Sequence, residues 1–224
     1  CRVREKKAGG MKIIDCVQNT PEWAAARLAI PTASKFGEIL TPTGKLSAQA
    51  EKYMLELCAE WLSGQPCEDY QSDWMKRGTE LEPEARALYA FRMDMEPQTV
   101  GFITRDDGLV GCSPDALIGD HGLAEFKCPA PHTHVRYLLG EKLDSKYLPQ
   151  VQGQMWIAER DWCDLCSYHP TMPPVIVRTM RDGAYIKSLA SAIDEFIGRL
   201  LAKREQLRKF MGAAYWCAER VTGR

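Results

Sequence analysis

Residues 111–129 read GCSPDALIGDHGLAEFKCP, and no other stretch restricts the fold so tightly. Gly119-Asp120-His121-Gly122 is turn chemistry between two short apolar runs, so 109–118 and 123–128 read as strands folded back on each other. Side chains two apart on a strand share a face, so Glu125 and Lys127 point one way and Ala124 and Phe126 the other. Pairing 118 with 123 sets Asp115 opposite roughly Phe126, with Pro114 ending regular pairing just before it. Three charged side chains then converge on a largely apolar sheet. Two carboxylates at one point repel, and one takes a proton unless a cation intervenes. A hard divalent ion such as Mg2+, which prefers few carboxylates plus waters and phosphate oxygens, resolves the conflict. The Phe126 main-chain carbonyl is available as a further ligand, and Lys127 is placed to orient an attacking water or help deprotonate it. Alone, such a D…ExK pattern is more often a structural ion pair at a sheet edge, so the flanking sequence has to decide.

The remaining chain supplies helices and two more strands. Thr20-Pro21-Glu22 starts a helix reaching about Leu28, and a second short helix covers 33–40. Residues 41–46 form a loop, and Ser47 caps a long amphipathic helix with Tyr53, Met54, Cys58 and Trp61 at helical spacing. A connection spans 63–69. Helix 74–93 contains Pro83, which predicts a restart or a kink and makes Glu82 a junction residue. Strand 99–105 and a turn at 106–108 lead into the pair described above. Helices near 134–139 and 147–159, strands 162–168 and 175–180, and a helix from 182 to about 211 complete the order. The stripe Ile186, Leu189, Ile193, Phe196, Ile197 and Leu200 marks that last helix as core or a subunit contact. This order predicts a mixed α/β fold, a central mixed β-sheet flanked by helices, as one domain over 11–224. Residues 1–10 are expected to be a leader or tag outside the core.

Composition narrows the setting. At 45% apolar and 26% charged, the 224-residue chain can bury a sizeable core. No apolar run approaches the ~20 residues a membrane helix needs. Nine scattered cysteines, an odd number, read as reduced intracellular thiols. With a net charge of −1, any phosphate-binding charge must be gathered in a channel.

The segments PEWAAARLAIPTASKFGEIL, RGTELEPEARALY, GCSPDALIG, LAEFKCP and YLPQVQGQMW occur in order over 20–156. Together they resemble the phage lambda exonuclease or viral-recombinase family of the PD-(D/E)XK nuclease superfamily, with its restriction-endonuclease-like core. Beyond Asp161 no motif matches. The resemblance implies a Mg2+-dependent enzyme, with Mn2+ able to substitute, that digests one strand of linear double-stranded DNA from 5′ to 3′. It would release mononucleotides and leave a 3′ overhang for a single-strand annealing protein. It further implies a homotrimer ring encoded by a phage or prophage and working in the bacterial cytoplasm, with no membrane association. Asp115, Glu125 and Lys127 become the catalytic core, Glu82 a nearby support, and Arg27 and Ser34 the grip on the terminal 5′-phosphate, helped by Ser113 and Gln150. Arg is a planar fork for phosphate oxygens, and Ser34 lies near a helix N-terminus, so the physics agrees in kind.

Other signals are weighed separately. Trp23, on the helical face of Arg27, suits either stacking on a terminal base or core packing. Gln154, four residues after Gln150, reads as an exposed helix glutamine, Lys45 as a surface lysine, and Glu80 and Glu84 as solvated. Cys163 and Cys166, with His169 beyond, invite a zinc or iron–sulfur reading, but on a strand the two thiols face opposite sides, and no second CxxC exists; neither cofactor is expected. Cys128 is assigned to the core, and His132 and His134 to a loop. Two other functions compete. One is an endonuclease of the same superfamily. The other is a non-catalytic DNA-binding recombination scaffold, disfavoured because converging carboxylates repel phosphate.

Overall fold

The computed structural model describes residues 3–5, 10–67, 73–140 and 144–222, with backbone alone at 3–5, 73–76 and 213–222. Residues 68 and 69 of the expected connection, and residues 1, 2 and 6–9 of the expected leader, lie outside the described residues. Strands β1 (Val3–Glu5) and β2 (Met11–Ile14) pair antiparallel, so part of the segment expected to stand apart joins a sheet.

Helix α1 (Pro21–Arg27) begins as its sequence dictates. The Thr20 hydroxyl accepts the Trp23 N–H at 3.4 Å, and Pro21 fills a first-turn position that needs no donor. Ala33–Glu38 is a 3-10 turn. Helix α2 (Ala50–Ser63) starts past Ser47, whose hydroxyl instead accepts the Gln49 N–H in the approach turn at 3.2 Å. Helix α3 (Asp73–Met93) runs through Pro83 without a restart, the first of the two expected alternatives, which puts Glu82 within the helix. Proline removes one backbone bond there, while Ala85 and Tyr89 bury completely against the sheet and hold the helix in place.

Strands β3 (Pro97–Gln98), β4 (Phe102–Arg105), β5 (Gly111–Cys112), β6 (Ala116–Ile118) and β7 (Gly122–Lys127) follow. After helices α4 (Pro131–Leu138) and α5 (Leu148–Ile157) come β8 (Trp162–His169), β9 (Met172–Met180) and the long α6 (Gly183–Thr222). One sheet has the order β1-β2-β4-β5 and is antiparallel; the other, β3-β6-β7-β8-β9, is mixed, with β7 and β8 parallel. That parallel pair requires a crossover, and α4 and α5 provide it.

Two expectations about the central strands need correction. The strand expected over 109–118 is split between the two sheets as β5 and β6, with Ser113, Pro114 and Asp115 at the corner. Pro114 has no N–H to give a ladder. The Gln18 side-chain amide donates to the Val100 and Pro114 carbonyls, both at 2.9 Å, and so ties the corner down. The register also differs by one: Ile118 pairs with Gly122 and Ala116 with Ala124, because the turn holds three residues, with Gly119 at φ 52°.

Leu123 packs on one face of the mixed sheet with Met54, Met155, Leu189 and Ile193, and Ala124 and Phe126 pack on the other with Tyr89 and Tyr168. The stripe on α6 is core. Cys163 and Cys166 fall in opposite clusters, as their strand spacing requires. His132 and His134 lie on α4, not in a loop, and buried His134 bonds the Ser167 hydroxyl at 2.8 Å and the Pro173 carbonyl at 3.0 Å. Among the described residues no helix is long and apolar enough to cross a membrane.

Candidate active site

Strand β7 sends Glu125 and Lys127 to the same face. Glu125 is 3% exposed, and the Lys127 Nζ donates to its Oε1 at 2.6 Å. Asp115 leaves the corner before β6 and its Oδ2 accepts the Phe126 N–H at 2.6 Å. A strand residue's N–H and C=O leave on the same side. The Phe126 carbonyl therefore also emerges toward Asp115, past Ala116, where β6 has ended. The corner that breaks the expected strand is thus what frees Asp115 to approach.

Helix α5 closes the site from above. At Gly153 an added Cβ would lie 2.3 Å from the Phe36 ring, so only glycine lets α5 settle on the Ala33–Glu38 turn. Gln150 and Gln154, one helical turn apart, both reach β7. Gln150 Nε2 donates to Glu125 Oε1 at 2.5 Å, and Gln154 Nε2 to Glu125 Oε2 at 2.7 Å. Gln154, read from sequence as exposed, is 1% exposed. Only the placement of α5 reveals it.

Burial and the neighbouring Glu125 push the Asp115 carboxyl well above its ordinary range, against the pull of Lys127. Burial works against a charged Lys127, yet Glu125 and Asp115 hold its ammonium above the usual value. Glu82 is raised chiefly by burial, although it pairs with Arg86 at 2.5 Å; Arg86 also reaches the Asp115 carbonyl at 3.5 Å. Burial drives the Cys128 thiol up to about 11, which leaves it inert. Two carboxylates facing one ammonium leave a negative charge in a confined place, and with the Phe126 carbonyl they form an all-oxygen donor set that fits a hard divalent cation. Among the described residues no third His, Cys, Asp or Glu completes a metal cluster. Such a site would hold its ion by few protein ligands.

A cavity of about 360 Å3 is lined by Glu82, Asp115, Glu125, Lys127, Gln150 and Gln154 and, on its far wall, by Trp23, Arg27, Ser34 and Ser113. The Arg27 Nη2 lies 3.4 Å from both the Thr32 and Ser34 hydroxyls. Trp23 is not core: its ring lies 4.1 Å under the Arg27 guanidinium, and its Nε1 donates to the Ser113 hydroxyl at 2.8 Å. Thr32, unremarked in the sequence, anchors this wall by giving its N–H to the Tyr53 hydroxyl at 3.1 Å. Every residue singled out for the site lines this one cavity except Phe126, whose backbone borders it. Lys45 and Glu80 are exposed elsewhere; Glu84, also exposed, accepts the Tyr168 hydroxyl at 2.9 Å.

A mixed sheet whose strands part at an aspartate beside an E-x-K strand defines a PD-(D/E)XK nuclease core. The chain belongs to the YqaJ-like viral recombinase family, whose model matches residues 22–161, the span from α1 to the end of the crossover. It is similar to LHK-Exo, an alkaline exonuclease from Laribacter hongkongensis. One structure of that protein, in complex with dAMP, is 36% identical and a second 35%; each covers 87% of this chain and 100% of its own, with a TM-score of 0.79. A phage-related exonuclease from Haemophilus somnus 129PT covers 78% of this chain and 96% of its own at a TM-score of 0.58, and at 16% identity it shares the fold. Comparison with curated proteins returned no match.

Proposed function

We propose that this chain is a Mg2+-dependent exodeoxyribonuclease that digests one strand of linear duplex DNA from 5′ to 3′, releasing mononucleotides. The observation that carries the reading is the convergence of Asp115, Glu125 and Lys127 in one cavity with Arg27, Ser34, Ser113 and Gln150. Asp115, Glu125 and the Phe126 carbonyl would hold the ion. Bound there, Mg2+ (or Mn2+ in its place) supplies Lewis-acid polarisation of the scissile phosphate and lowers the pKa of the attacking water.

The chain's own groups do the rest. Lys127, kept as an ammonium, donates a hydrogen bond to the attacking water or a phosphate oxygen and offsets developing charge. Gln150 holds Glu125 in place. Glu82, tied to Arg86, shapes the acidic wall. Arg27 and Ser34 receive the terminal 5′-phosphate, and each cleavage makes a new 5′-phosphate for the same grip, which sets a step of one nucleotide. Trp23 offers a ring to the terminal base. LHK-Exo has been crystallised with dAMP, a mononucleotide of the kind such a reaction releases. The remaining 3′ strand would pass to a single-strand annealing protein in the bacterial cytoplasm. A homotrimer ring would keep the enzyme on its track and should sediment at three times the 25.3 kDa chain mass.

The test uses linear duplex with and without a 5′-phosphate, and a covalently closed circle, each with Mg2+ or EDTA. Expected are mononucleotides from the phosphorylated linear substrate with Mg2+ only, an intact circle, and no release by Asp115→Ala. Cutting of the circle would move the protein to the endonucleases, and equal release by Asp115→Ala would defeat the assignment.

A further inference from the structure

Two glutamines on α5 are equally buried, at 1% exposure each, but differ in how they are satisfied. Gln152 uses both ends of its amide: Nε2 donates to the Met180 carbonyl at 2.9 Å, and Oε1 accepts the Asp182 N–H at 2.9 Å. It joins α5 to the end of β9 and the start of α6, and nothing is left over. Gln154 uses one end. Its Nε2 donates to Glu125 Oε2 at 2.7 Å, while its Oε1 is buried and meets no hydrogen-bond donor among the described residues. Rotating the amide does not cure this, because Oε1 would then face a carboxylate oxygen and two acceptors would collide. A buried carbonyl without a donor costs free energy and calls for an explanation. Gln154 lines the cavity that holds Asp115, Glu125 and Lys127.

Glu125 needs the help Gln154 gives. Its Oε1 already accepts from both Lys127 and Gln150, so Oε2 depends on Gln154. Without that donor, a buried carboxylate oxygen would be unpaired, and the group would turn about its last torsion to share the donors at Oε1.

We propose that Gln154 is a positioning residue. It fixes the plane of the Glu125 carboxylate through Oε2. The inference rests on the nuclease reading above and deepens it. Groups that orient ligating carboxylates typically change metal affinity or turnover by 10–100-fold when removed.

The test compares native protein with Gln154→Met, which keeps length and loses both polar ends. Expected are a kcat for Mg2+-dependent digestion reduced about 10–100-fold, a KM for DNA ends within about twofold of native, and a Ca2+ dissociation constant raised by about tenfold on calorimetry. The melting temperature should stay near native, since an unpaired buried polar atom is removed along with the bond. In a Glu125→Gln background, Gln154→Met should leave the Ca2+ isotherm unchanged, because the residue acts through Glu125. Native kcat and a native isotherm in Gln154→Met would overturn the proposal, as would a raised KM at unchanged kcat. If Gln154→Met does not fold, Gln154→Asn replaces it, with the same KM-against-kcat split expected and native kcat again overturning. Native protein that leaves linear duplex intact sinks the nuclease reading and this proposal together, whereas native protein that cuts no faster than Gln154→Met sinks this proposal alone.

Discussion

Strands β7 and β8 each bury a carboxylate, one residue step apart and on opposite faces of the same sheet. Asp164, opposite Ala124, is fully buried and closed by the chain itself. Arg178 forks onto it with two bonds of 2.8 Å, and the Tyr89 hydroxyl donates at 2.7 Å. One carboxylate meets one guanidinium, and burial with Asp164 close by keeps the Tyr89 phenol protonated. On the other face Glu125 shares its surroundings with Asp115, and Lys127 is the cation between them. Hydrogen bonds alone do not separate the two places, since Glu125 has as many donors as Asp164. Charge does: the Asp164 cluster is neutral by its own residues, and the Asp115–Glu125 cluster is not. A buried group left in that condition is either protonated or waiting for a cation, and the open cavity beside Asp115 admits one.

Substitutions can break this contrast, and the largest effect belongs to the unbalanced side. Asp115→Asn should lower turnover by about 10^3 or more while leaving the fold intact. Its melting temperature without divalent ions should equal or exceed the native one, because the repulsion with Glu125 is gone. Asp164→Asn should do the reverse. Leaving Arg178 unpaired costs about 3 kcal/mol, the low end for a buried pair because Arg178 is 40% exposed, and a urea melt would read it. Turnover per folded molecule should stay native. A large turnover loss in Asp164→Asn with no loss of stability would erase the distinction.

Smaller effects sharpen it. Arg27→Ala should reduce the preference for 5′-phosphorylated over 5′-hydroxyl ends about tenfold, the worth of one charge-assisted contact, as read from initial rates on the two substrates. The surface gives the lower limit. Burial tends to raise Asp107, but the 2.6 Å pair with Arg105 and the Leu109 N–H hold its carboxyl below the ordinary range. A depressed native pKa means this stabilisation is present above the unfolded pKa and is lost as pH falls through the native one. Asp107→Asn should therefore cost at most about 1 kcal/mol at pH 7 and nothing once both states are protonated, checked by urea melts at neutral and acidic pH.

The part of the site built from near neighbours was legible in the sequence. Glu125 and Lys127 share a face because they are two apart on one strand, and Trp23 and Arg27 stack because they are four apart on one helix. Asp115 was legible as a neighbour but not in its manner of approach. Pro114 signals a break in pairing, yet nothing in 109–118 says that its halves enter different sheets, where β5 pairs with β4 and β6 with β3 and β7, or that the distant Gln18 bonds the Pro114 carbonyl. Gln154 was misread for a similar reason: its burial comes from the fit of Gly153 against Phe36 across the fold, which no local pattern carries. The same holds for His134, whose partners Ser167 and Pro173 belong to later strands.

Calorimetric titration of the purified chain with Mg2+ tests the central claim most directly. The account predicts uptake by native protein, uptake by Asp164→Asn in proportion to its folded fraction, and none by Asp115→Asn. Native protein that takes up no ion, or Asp115→Asn that takes up as much as native, would contradict it.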